Sequence, residues 1–188
     1  MQIQKTSLIS GLIIAFFTFF IALLVSIGSE ALVRAVNSVI VAVFLLLLII
    51  FLGIFFDIIG TASTAALLPP FNAQAAKKLY GARQAVTLIR NADLVANFCN
   101  DVVGDISGTL SGAIGAGIVV KLAQQFALID TVLAGAVMTS IIAALTVGGK
   151  AVGKGMAINH CNAIISRVAR VVAWWEDISG MELFKNRR

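Results

Sequence analysis

Residues Ala35 to Gly60 read AVNSVIVAVFLLLLIIFLGIFFDIIG, and Asp57 is the one charge among them. A helix of roughly 20 residues crosses a bilayer core of about 30 Å. This run is longer than that and has no polar face, whereas a helix on a soluble core pairs an apolar stripe with a polar one. Ser7–Gly28 is a second such run, without charge. Asp101–Leu122, with two aspartates among many glycines, and the uncharged Thr131–Gly149 are two more. Mean hydropathy is +1.01, and 12% of residues are charged. The sequence specifies an all-α integral membrane protein of four transmembrane helices, with the lipid bilayer as its surroundings.

Lys5 before Ser7–Gly28 gives the first run the look of a signal peptide. Its apolar stretch is longer than the usual 7–15 residues of a signal core, and no small-x-small cleavage site follows. It reads as a retained signal-anchor. Four spans place both termini on one side. Twelve of the 14 Lys and Arg residues fall on that side, leaving Arg34 and Lys121 on the other. The positive-inside rule makes that side cytoplasmic, in a multi-pass protein of the plasma (cytoplasmic) membrane. The pI near 9.6 comes from flanks that meet anionic lipid, so no nucleic-acid partner is implied.

Cys99 and Cys161 both lie near the cytoplasmic face, where thiols stay reduced. Two cysteines and one histidine complete no metal cluster. GxxxxGK[ST], HExxH and GxSxG are absent from the sequence, and the reading is of a protein that is not an enzyme.

Between the spans, Pro69-Pro70 is expected to stop the second helix, with Asn72 capping a short helix Ala73–Tyr80 and Gly81 separating it from Ala82–Arg90. These pieces have apolar sides and basic residues, as interfacial segments do. In Ile158–Ile178, residues Cys161, Ile164, Ile165, Val168, Val172 and Trp175 share one helical face. That face suits a membrane surface or, as an alternative, a docked partner. The expected organisation is an N-terminal anchor (1–30), a transmembrane domain (31–157) with a cytoplasmic belt at about 61–98, and an amphipathic interfacial helix with a basic tail (158–188).

Ionisable groups at membrane depth are costly and mark functional sites. Gly53, Asp57 and Gly60 share a face of the second span. Asp101, Asp105, Gly108 and Gly112 share one on the third, with Gly104 beside them. Gly135, Thr139, Ala143, Thr146 and Lys150 form a stripe on the fourth. Each has a plainer reading: the glycines with Ser107 and Ser111 as a packing face, the threonines bonded to their own carbonyls, Asp57 and Lys150 snorkelling at helix ends. Asp105 lies a turn deeper, and its short side chain needs a cation, a proton or water. Carboxylate, carbonyl and hydroxyl oxygens together suit a hard cation such as Mg²⁺.

Four stretches resemble a known family. Phe55-Phe56-Asp57-Ile58-Ile59-Gly60-Thr61-Ala62 is similar to the FFSxxETA helix end of the CorB/CorC and CNNM magnesium transporters. Leu79-Tyr80-Gly81-Ala82-Arg83-Gln84-Ala85 with Leu88 resembles their LxxGxRxA…L belt. Phe98-Cys99-Asn100-Asp101-Val102-Val103 resembles their IGNNLV helix start. Gly149 to Ala157 parallels GExxPKxxA. The resemblance runs from about residue 38 to residue 178. It implies a CNNM/CorC-like core of three helices with a belt, a homodimer, and a central Mg²⁺ site.

The departures fall on the family's ligand positions. Asp57 stands for its serine, Gly60 for a glutamate, Asp101 beside the retained Asn100, Lys150 for the GE glutamate and Gly153 for the proline. The family's CBS pair is expected to be absent and the Ser7–Gly28 helix to be extra. The resemblance thus implies cation transport through an intramembrane Asp/Asn site, with Asp57, Asn100, Asp101 and Asp105 as metal ligands and Lys150 as counter-ion or gate. The alternative is a degenerate, non-transporting scaffold or regulatory subunit, in which a Lys–Asp pair replaces the metal and a membrane-protein partner is engaged.

Overall fold

The computed structural model describes residues 11–13, 15–24, 26–28, 38–126 and 130–181. The start of the first span at Ser7, Lys5, Arg34, the first residues of the second span and the basic tail lie outside the described residues. The described chain forms α1 (Gly11–Gly28), α2 (Val39–Ala65), α3 (Leu68–Ala76), α4 (Ala82–Arg90), α5 (Ala92–Ala96), a π-helical segment (Asn97–Val103), α6 (Gly104–Gln125), α7 (Thr131–Asn159) and α8 (Cys161–Ser179). Among the described residues there is no strand. Val, Ile and Phe are not strong helix formers in water, but in lipid each backbone polar group must bond within its own segment, and that enforces helix.

Four helices are long and apolar enough to cross a membrane: α1, α2, the continuous Ala92–Gln125 and α7. Large apolar side chains stand exposed on them, with Ile40, Phe44 and Phe51 of α2 at 80%, 64% and 71%. Water would drive such a surface to associate, whereas lipid solvates it. This is a membrane protein.

Contacts gather into two units. The first takes in the residues up to Phe51 together with Ile106–Ala144. Ala42, Leu46 and Ile50, four residues apart, form the buried face of α2 there. Gly115 of α6 receives Ile142 and Met138 of α7, so a Cβ added at Gly115 would collide with Ile142 and crowd Met138. The second unit takes in Leu52–Asp105 and the residues from Leu145 onward. Its core joins Ile59, Ala62, Phe71, Ala85, Leu88, Val95, Cys99, Ala157, Ile165 and Ala169.

Local chemistry in the second unit departs from expectation at the prolines. α2 does end before them, at Ala65, but Pro69 and Pro70 sit inside the first turn of α3, behind the N-cap Leu67. Proline's fixed φ and missing N–H suit a first turn, where no N–H has an intrahelical partner, so the helix opens at Leu68 and Asn72 is not its cap. α4 then starts from Gly81 at φ +79°. A Cβ there would lie 3.1 Å from the Arg170 Cα and backbone nitrogen, so the same glycine lets α8 approach. Two bonds fix that approach: Tyr80 Oη donates to Asp177 Oδ2 and Gln84 Nε2 to Glu176 Oε2, each at 2.8 Å. Ile165 and Ala169 of α8 are fully buried in this packing, and Gly180 ends α8 at φ +66°. The apolar face of α8 is thus covered largely by the protein itself.

Candidate functional site

Three helices of the second unit meet around Asp57. The stripe Gly53–Asp57–Gly60 is the inward face of α2, and all three residues are buried. On α7, Gly149 and Gly153 make the groove that faces it. Ile54 rests on both, and a Cβ at Gly153 would lie 2.8 Å from Ile58 Cγ1. This side-chain-free strip draws α7 onto α2 and brings Lys150 alongside. Its Nζ lies 4.0 Å from Asp57 Oδ1, an ion pair too long for a hydrogen bond. Asp57 is 2% exposed.

The third side comes from the π-helical segment. Its wider turn sets the Gly104 N–H on the Cys99 carbonyl, an i→i−5 bond, and places Asn100 and Gly104 inward together. Asn100 packs on Gly60, where a Cβ would collide with its side chain and lie 3.1 Å from Cys99 Cβ. Gly104 is the seat for the ammonium, since a Cβ there would lie 3.1 Å from Lys150 Nζ. Close by, Ser63 Oγ donates to the Gly60 carbonyl at 2.7 Å and fastens the end of α2.

Two buried oxygens at this junction, Asp57 Oδ2 and Asn100 Oδ1, have no hydrogen-bond partner among the described residues, and Thr146 Oγ1, four residues before Lys150 on α7, is a third such buried oxygen. Buried polar atoms are nearly always paired, so unpaired oxygens on these helices mark the junction as a candidate site. A carboxylate, an amide carbonyl and a hydroxyl are hard oxygen donors, and donor type fits a hard cation. Charge is the constraint, because the Lys150 ammonium already balances the carboxylate.

The expected ligands divide. Asp57 and Asn100 come together here, with Lys150 between the helices that carry them. Asp101 and Asp105, expected as further ligands, are exposed on the neighbouring face. The inward pair four residues apart is Asn100 and Gly104, which leaves Asp101 and Asp105 one position around the helix. Among the described residues, no three His, Cys, Asp or Glu side chains gather to hold a metal ion. On α7, Thr139 Oγ1 donates to the Gly135 carbonyl at 2.9 Å, the plainer of its two readings. Sequence reasoning did not single out Ser63 or the seat at Gly104. The glycines flanking Lys150 at Gly149 and Gly153 were the available signal for close helix approach. Compared with known proteins, the chain matches no family model, no curated protein and no solved structure.

Proposed function

We propose that this membrane protein binds and moves a divalent cation, Mg²⁺ by its resemblance to the CorC/CNNM transporters, through the oxygens of Asp57, Asn100 and Thr146. The observation that carries this reading is Asp57 itself: buried, with Oδ1 facing Lys150 at 4.0 Å and Oδ2 unpaired among the described residues. Lys150 acts as a tethered counter-ion. A divalent ion 4 Å from the ammonium would be repelled by about 8 kcal/mol at an effective dielectric near 20, so ion and ammonium exclude one another. The Lys150 side chain is 24% exposed, and its long stem lets the ammonium withdraw when an ion enters. Occupancy and gating are then one event.

The charge asymmetry of the flanks supports a plasma-membrane protein with cytoplasmic termini. The resemblance adds a homodimer. One observation favours a second reading, a non-transporting scaffold: the ammonium seated over Gly104 already neutralises Asp57. Cation flux in proteoliposomes separates the two. Uptake that Asp57→Asn abolishes supports the transporter, and a flux-silent chain that co-purifies with a stoichiometric membrane partner supports the scaffold.

A further inference from the structure

α8 is apolar on two sides, and the protein covers one of them. Ile165, Ala169 and Ala173 are buried. On the opposite side, at helical spacing, lie Arg167, Arg170, Val171, Trp174 and Ile178, all exposed. Val171, Trp174 and Ile178 are 64%, 58% and 65% exposed, which is unlike a face made for water alone. Arg167, Arg170, Val171 and Trp174 line a concavity of about 350 Å³.

The two arginines are available to a ligand. Arg170 is held in place, its stem against Gly81 and its Nε donating to the Ser166 carbonyl at 3.4 Å. Among the described residues Arg167 makes no ion pair. The nearby acids are engaged elsewhere, Glu176 with Gln84 and Asp177 with Tyr80. Only His160 separates α8 from the end of α7, a helix long and apolar enough to cross a membrane, so α8 begins beside the end of that span.

We infer that the concavity binds the headgroup of an anionic phospholipid. The phosphate sits between the Arg167 and Arg170 guanidinium groups, and Trp174 and Val171 lie against the glycerol and the upper acyl chain. Guanidinium matches phosphate in charge and in bidentate geometry. Indole concentrates at headgroup level, and basic clusters beside membrane helices select anionic lipid. A soluble acidic partner would satisfy the arginines but leave the apolar residues between them without a reason.

The test uses the full chain in phosphatidylcholine nanodiscs with Trp175→Phe, which leaves Trp174 as the sole tryptophan. Brominated phosphatidylglycerol or brominated phosphatidylcholine is titrated in, and Trp174 quenching is read. Phosphatidylglycerol is expected to quench at roughly tenfold lower mole fraction, a preference lost in Arg167→Gln/Arg170→Gln. Inorganic phosphate is expected to leave the quenching unchanged. Equal quenching by the two lipids overturns the proposal, as does a preference that survives the double substitution. Relief by inorganic phosphate assigns a free-anion site instead and also overturns it. Shielding from both lipids in a dimeric sample places a second copy on this face and overturns it as well. Native mass spectrometry of the unsubstituted chain gives an independent answer: phosphatidylglycerol retained by the wild type and lost from Arg167→Gln/Arg170→Gln.

Discussion

Lys150 faces Asp57 at 4.0 Å because glycines on two helices make room for it. Gly149 and Gly153 admit Ile54 and Ile58 and bring α7 onto α2, while Gly104 leaves space for the ammonium. At an effective dielectric near 20 the attraction is about 4 kcal/mol, and desolvation of the buried carboxylate opposes it.

Lys150→Ala removes the cation that Asp57 faces. The expected loss of stability is about 3 kcal/mol, the lower end for a broken buried pair, because the contact is long and the lysine partly exposed. Adding Asp57→Asn is expected to recover part of that loss, a coupling that a double-mutant cycle on unfolding in detergent measures. Lys150→Glu is expected to be the least stable in metal-free buffer and to be rescued by millimolar Mg²⁺. Equal stability of wild type and Lys150→Ala would show that the ammonium only snorkels.

The two glycines at the junction are expected to respond differently to alanine. A methyl on Gly60 meets the packed Asn100 and Cys99 side chains and is expected to destabilise by about 2 kcal/mol. On Gly104 it meets the tip of a flexible lysine at 3.1 Å and the Cys99 carbonyl at an ordinary contact distance of 3.7 Å, and alanine favours helix by up to about 1 kcal/mol, so little net change is expected. Melting temperatures in detergent check the order Gly60→Ala below Gly104→Ala.

Much of the fold was legible because span length is a one-dimensional property. Apolar runs located α2 and α7, and the spacing of Gly53, Asp57 and Gly60 identified the inward face of α2. Helix ends were less legible: Pro69 and Pro70 read as a stop also serve as a start, and only the position of Leu67 decides between them. The site was half legible. Asn100 and Asp101 are neighbours in sequence, and a π turn that no local pattern announced goes with Asn100 inward and Asp101 outward. The apolar spacing of α8 was legible, but it was read as a surface for membrane or partner, whereas Ile165 packs in the core and Trp175 stays exposed; the packing on α4 depends on Gly81, which a one-dimensional reading takes only as a break.

The belt is expected to depend on Gly81 and Ile165. Gly81→Ala imposes a left-handed φ on a residue with a Cβ and crowds the Arg170 backbone, so a loss of more than about 1 kcal/mol is expected. Ile165→Ala empties a fully buried position, with an expected loss of about 2–5 kcal/mol. Limited proteolysis of α8 in detergent checks both, with faster cleavage than in the wild type.

Tyr80 is the only tyrosine, so its ionisation is read directly from phenolate absorbance. Its hydrogen bond to Asp177, with some burial and the nearby carboxylate charge, holds the phenol above its ordinary value of 10.0. A raised folded value means the stabilisation is full below the unfolded value and is lost as pH rises through the folded one. Asp177→Asn is expected to lower the midpoint toward the ordinary value. An unchanged midpoint would show that the bond does not form in solution.

Mg²⁺ uptake into proteoliposomes of the full chain, followed with an entrapped Mg²⁺-sensitive dye, decides whether the protein moves the ion through Asp57. Gradient-driven uptake is expected in the wild type, with loss in Asp57→Asn and retention in Asp105→Asn, whose carboxylate is exposed on the neighbouring face. No uptake by folded wild-type protein under a gradient of either direction would contradict it.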